Sequence, residues 1–180
     1  MSLKWILLLG NKKQMSLMQP QLSVLVLGVG NLVMSDDGVG VVIAQKLQQS
    51  FRFPDNVEIM DGGTLGLDLL PKLENRTHLI LVDAVETGGK AGTCVRLYGQ
   101  ELPIALETKI SPHQMGLKDL LAVSELMGHL PREMVLIGVQ PGSIEMEIGL
   151  TPNVEAQLDT LIANVLRELD NWGISAEPII

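Results

Sequence analysis

The chain has 180 residues, a formal charge of -8 and one cysteine. That length suits one domain able to bury roughly two-thirds of its unfolded surface, and makes a separate second core unexpected. The acidic balance opposes the counterion release that drives nucleic-acid binding, while the lone Cys94 excludes an internal disulfide and multi-cysteine zinc patterns.

Hydrophobic residues make up 46% of the chain and aromatics 3%, so the core must be built from Val, Ile, Leu, Ala and Met. Such a composition suits a sheet covered by helices on both faces. The first twenty residues differ from the rest. Trp5 to Leu9 is too short an apolar run to span a membrane, Lys4 is a weak basic flank, and Asn11-Lys12-Lys13-Gln14 offers no small-residue cleavage site. Residues 1–20 are therefore read as an extension, either a disordered leader or a start-site artefact upstream of Met15 and Met18, and residues 21–175 as the domain.

From there strands alternate with helices. Val24 to Leu27 reads as a strand closed by Gly28-Val29-Gly30-Asn31, and Val39, Ile43 and Leu47 at four-residue spacing predict a helix after it. Val57 to Met60 predicts the next strand, ending at Asp61-Gly62-Gly63. Thr64 is placed to cap a helix through about Leu73, with Leu65, Leu69 and Leu73 on one face. His78 to Val82 reads as a central strand with Asp83 at its carboxyl end. A strand at 93–97, a helix from Pro112 to about Met127 and a strand at 134–139 follow. The last helix is expected over 154–171, with Val154, Leu158, Leu161, Val165 and Leu169 as its buried stripe. The expected fold is α/β: a single three-layer domain whose mainly parallel, twisted sheet of about five strands carries helices on both faces.

Gly28-x-Gly30 is not a dinucleotide fingerprint. The third glycine would fall at Val33, and Asp61 comes too late to serve as the acidic strand end. The glycines instead allow a sharp turn that carries Asp36 and Asp37 toward the crevice. Each of these carboxylates can cap the first helix or face the crevice, and one can cap while the other points away. Asp83 ends a strand apolar enough to be buried on both faces, where open α/β sheets bind ligands, although capping of the next segment is an equal alternative. Asp61 reads better as a turn acceptor.

Only three histidines are present. His113 sits in Ser111-Pro112-His113-Gln114, a capping-box pattern with proline at the first helical position, and the helix terminus there disfavours an imidazolium. Neutral imidazole binds metal or acts as a base. His78 opens a strand and His129 follows a helix, which suits structural or exposed roles; Cys94 reads as a small buried hydrophobe. No H-E-x-x-H, G-x-S-x-G or activated-cysteine pattern occurs. Hydrolysis, if any, would use metal polarisation or an activated water, with Asp37, Asp83 and His113 as ligands or bases.

Leu27-Gly28-Val29-Gly30-Asn31-Leu32 with Asp36-Asp37-Gly38-Val39-Gly40, then Asp61-Gly62-Gly63-Thr64, Leu81-Val82-Asp83-Ala84 and Ile110-Ser111-Pro112-His113-Gln114 resemble the ordered motifs of the hydrogenase maturation proteases. Gly149-Leu150-Thr151-Pro152 adds to the resemblance, which spans about residues 22–170. It implies a cytoplasmic endopeptidase that removes the C-terminal extension of a nickel–iron hydrogenase large-subunit precursor after nickel insertion. It also implies that Asp37, Asp83 and His113 are its catalytic and metal-binding residues. Nickel would be supplied at least in part by the precursor, with zinc or cadmium as surrogates, and the protein would act as a monomer without membrane or nucleic acid. Gly142 departs from the pattern, since relatives often carry Glu there. A non-cleaving, nickel-binding chaperone or recognition module for the precursor is the alternative.

Overall fold

The computed structural model describes residues 21–99, 101–102 and 112–179, for 112–115 the backbone alone. The expected α/β architecture is found. Five strands, β1 (Val24–Val29), β3 (Val57–Gly63), β4 (His78–Ala84), β5 (Cys94–Tyr98) and β6 (Glu133–Val139), form one sheet in the order β3-β1-β4-β6-β5. All neighbours pair in parallel except β5, which runs antiparallel to β6. A separate two-stranded ribbon, absent from the sequence expectations, pairs β2 (Phe51–Arg52) with β7 (Glu177–Pro178).

The two faces of the sheet differ in side-chain type. Val24, Val26, Ile80, Val82, Val135, Ile137 and Val139 pack on one face against α1 (Val39–Ser50) and the C-terminal helices. Leu25, Leu27, Leu79, Leu81 and Leu136 pack on the other, under α2 (Leu70–Leu73) and α3 (Pro112–Leu126). Period-two alternation therefore sorts β-branched residues to one layer and leucine to the other. The expected stripe of Val39, Ile43 and Leu47 is fully buried on α1.

Two helices depart from expectation. In place of one helix from Thr64 to Leu73 there is a 3-10 turn, Gly66–Leu69, and then the single turn of α2. Thr64 makes no cap, and Leu65 is 51% exposed while Leu69 and Leu73 are buried. Gly66 at φ 54 breaks the helical path just after Leu65, so periodicity across it carries no meaning. The last helix is divided into α4 (Pro152–Glu155) and α5 (Leu158–Asn171). Its predicted stripe survives the break, with Val154, Leu158, Leu161, Val165 and Leu169 all buried.

Helix α5 is tied to the antiparallel edge strand by a forked ion pair. Arg96 on β5 donates from Nε to Glu168 Oε1 at 2.5 Å and from Nη2 to Oε2 at 3.0 Å, and Glu168 is buried. The hydrogen bonds from Arg96 hold the Glu168 carboxyl below its ordinary range. A depressed carboxyl stabilises the fold above its unfolded value, and this contribution is lost as pH falls through the folded value. Arg96→Met is expected to cost about 1–2 kcal/mol, less than for a fully buried pair because Arg96 is half exposed. It should also flatten the fall in melting temperature below about pH 4.5. Thermal melts of both proteins from neutral to acid pH check this.

Candidate active site at the switch point

Strand order places the topological switch between β1 and β4: the chain leaves β1 toward β3 on one side and returns to β4 on the other. Ligand crevices of open α/β sheets lie beyond the carboxyl ends of such a strand pair. Gly28 of β1 is level with Asp61 of β3 and with Val82 of β4, so Asp83 begins the crevice wall.

The glycine loop delivers Asp37 to this edge. Gly30 has φ 132, and a side chain there would put its Cβ 1.8 Å from the Asp37 carbonyl oxygen. The backbone can therefore fold over the 3-10 turn Ser35–Gly38 only without that side chain. Asn31 N donates to Asp37 Oδ2 at 3.0 Å, closing the loop. The same turn packs against β4, and Gly40 of α1 approaches the Val82 carbonyl so closely that a Cβ would lie 2.0 Å from it. Asp37 thus sits at the foot of α1, beside the strand that carries Asp83.

The neighbouring Asp36 has another task, which the sequence did not reveal. It caps no helix. Its Oδ2 accepts from Gly142 N at 2.7 Å, Ser143 N at 3.2 Å and Thr151 Oγ1 at 2.8 Å, and its Oδ1 from Thr151 N at 2.6 Å. Asp36 N donates to the Ser143 carbonyl and Ser35 N to the Glu147 carbonyl. This buried carboxylate clamps the loop between β6 and α4 onto the rim of the crevice. Expected capping by Asp36 or Asp37 is replaced by bonds to loop amides, because α1 is entered directly from the 3-10 turn. Thr151, in the Gly149-Leu150-Thr151-Pro152 pattern, was the available signal. Gln140 acts similarly on the loop after β4, accepting from Thr87 N at 2.7 Å and Thr87 Oγ1 at 2.9 Å.

Asp36, Asp37 and Asp83 are each 0% exposed. Along β4, Leu79 and Leu81 belong to the leucine layer and Val85 rejoins it, so alternation turns Asp83 to the side covered by α3. The first turns of α3 lie at the carboxyl edge as well: Gly116 packs backbone to backbone on Gly66, just beyond β3. His113 is in the first turn of α3, but its side chain and Ser111 of the capping box lie outside the described residues. Among the described residues no three His, Cys, Asp or Glu side chains form a metal-binding group.

The other candidates have other tasks. Asp61 is a turn acceptor, as expected, taking Gly63 N at 3.0 Å, and it also accepts from Gln45. His78 opens β4 at the opposite edge, hydrogen-bonded through Nδ1 to Thr77 Oγ1 and edge-on to Trp172, with burial pushing its pKa down. His129 lines an open cleft of ≈ 550 Å³ with Arg76, Thr77 and Arg132, also at that amino-terminal edge.

Cys94 starts β5, half-buried where full burial was expected. Burial pushes its thiol up, which opposes thiolate formation. Cys94→Ser is therefore expected to leave any hydrolytic activity of the crevice intact, with a modest loss of stability allowed. Loss of cleavage by a folded Cys94→Ser protein would point to a cysteine nucleophile.

Fold and site together define a doubly wound α/β protein with buried carboxylates at its switch-point crevice. The sequence pattern of the HycI hydrogenase maturation proteases matches residues 41–168. The Hydrogenase 2 maturation protease of Escherichia coli (strain K12) is 45% identical over 156 residues, covering 86% of this chain and 95% of that one. The hydrogenase expression/formation protein HupD of Rhodobacter capsulatus is 44% identical over 153 residues, covering 84% and 73%. The solved structure of the hydrogenase maturating endopeptidase HybD from E. coli matches with a TM-score of 0.83 at 44% identity, covering 87% of this chain and 98% of that one. The chain belongs to the hydrogenase maturation protease family.

Proposed function

We propose that this chain is the endopeptidase that removes the C-terminal extension of a nickel–iron hydrogenase large-subunit precursor once nickel has been inserted. The observation that carries the reading is a pair of fully buried aspartates beside the switch point, Asp37 at the foot of α1 and Asp83 at the carboxyl end of β4. The names of the relatives, a Hydrogenase 2 maturation protease and a hydrogenase maturating endopeptidase, support the same substrate class.

In this reading nickel arrives as part of the substrate. Asp37, Asp83 and His113 engage it, and that contact sets the scissile bond in the crevice. Imidazole suits nickel, and two carboxylates with one imidazole leave coordination positions open for the precursor's own ligands or for water. A neutral imidazole at His113 is the form able to ligate or to accept a proton. Zinc or cadmium are the expected surrogates when the protein is loaded without precursor. We place the activity in the cytoplasm, as the family resemblance implies. Separately, no helix among the described residues is long and apolar enough to cross a membrane.

The test is incubation of the protein with nickel-loaded precursor, followed by mass measurement of the precursor. Loss of a C-terminal peptide is the expected result. Binding with unchanged mass would mean a docking module that does not cut.

A further inference from the structure

Six large apolar side chains are exposed on the three loops that frame the crevice: Leu32 and Val33 after β1, Leu65 and Leu67 after β3, and Met146 and Ile148 after β6. Backbone hydrogen bonds join these loops to one another, Gly30 N to Gly63 O, Asp36 N to Ser143 O and Ser35 N to Glu147 O. The loops that carry these apolar groups are therefore tied together at the crevice edge. Met146 and Ile148 are the most exposed, at 84% and 86%. Clustered exposed apolar side chains with polar neighbours mark a surface that meets another protein.

The charge at the same edge of the sheet is one-sided among the described residues. Asp61, Asp68, Glu86, Glu145 and Glu147 stand at this edge of the sheet, against Lys90. From Ile144 to Ile148 apolar and acidic residues alternate, so the β6–α4 loop offers both kinds of contact within one short stretch. The Asp36 clamp holds that stretch by both ends, through Gly142, Ser143 and Thr151.

We infer that this rim is the docking surface for the precursor, and that it takes a segment bearing apolar side chains flanked by lysine or arginine. The inference rests on the proposed peptidase reading, because the rim encloses the crevice in which the scissile bond would lie. Apolar contact at Met146 and Ile148 supplies affinity. The acidic residues Glu145 and Glu147 supply orientation and salt-dependent capture.

The test uses the full chain and nickel-loaded large-subunit precursor from the same organism. Met146→Ser with Ile148→Ser removes two side chains that are almost wholly exposed, so folding is preserved. KM should rise by about tenfold or more, as for loss of central interface contacts, with kcat nearly unchanged. Glu145→Gln with Glu147→Gln should weaken the dependence of KM on ionic strength. Unchanged KM in the first variant, while wild type cuts normally, overturns the docking surface and leaves the peptidase reading intact. If wild type does not cut, the peptidase reading fails, and direct binding of the precursor to wild type and to the first variant still decides the rim. Equal affinity overturns it, and weaker binding by the variant supports it.

Discussion

His113→Ala is expected to abolish cleavage of nickel-loaded precursor, a loss of at least about 10²- to 10⁴-fold if the imidazole acts as ligand or base at the reacting centre. The fold should be nearly unaffected. Alanine is the best helix former, and Pro112 still occupies the first position of α3, so the helix retains its start. The melting temperature is expected to stay within about 2–4 °C of wild type, the shift that accompanies 1 kcal/mol in a chain of this size. Cleavage rate and thermal melt measured on one preparation separate the chemical role from a structural one.

Asp36→Ala is expected to have the largest effect on stability. The carboxylate is buried and accepts four hydrogen bonds, three of them from backbone amides of the β6–α4 loop. Removing an acceptor that satisfies several buried donors should cost about 3–5 kcal/mol, partly relieved where the freed amides turn to water. Processing should fall as well, since the loop rim and the neighbouring Asp37 both lose their anchor. Asp36→Asn keeps the volume and one acceptor oxygen, and should fall between. A thermal melt of each variant and its cleavage of nickel-loaded precursor would expose a different role if Asp36→Ala melted like wild type.

Much of this architecture was legible because local pattern and global packing agree. The runs at 24–27, 78–82 and 134–139 are almost wholly apolar and bounded by turn residues, and each became a strand of the sheet, as did 57–60 at its edge, where Glu58 interrupts the apolar run. The helical stripes of α1 and α5 were readable because nothing interrupts their period within the helix. At Gly66 the period continued on paper while the backbone did not, and the predicted helix was lost. The ribbon of Phe51–Arg52 with Glu177–Pro178 joins residues too far apart in the chain, and too few, for any periodicity to reveal.

The site shows the same division. The position of Asp83 at the carboxyl end of a buried strand was readable from the apolar run before it, and the glycines before Asp37 signalled a tight turn. Telling Asp36 from Asp37 was not possible locally, because adjacent carboxylates with identical chemistry are separated only by partners more than 100 residues away in sequence. Sequence order carries no trace of which of the two meets Gly142, Ser143 and Thr151. Strand order and the apolar rim were hidden for the same reason: both depend on which loops the sheet brings to one edge.

The most direct test is a set of cleavage rates on nickel-loaded precursor for His113→Ala, Asp83→Asn and Asp37→Asn, alone and in pairs, with calorimetric metal titration of each variant. If the three residues serve one nickel ion, each single change should cost most of the activity and the pairs little more. An amide is a poorer metal ligand than a carboxylate, so metal binding should weaken in parallel. A folded His113→Ala protein that binds metal and cuts at the wild-type rate, or three losses that multiply independently, would contradict the shared site.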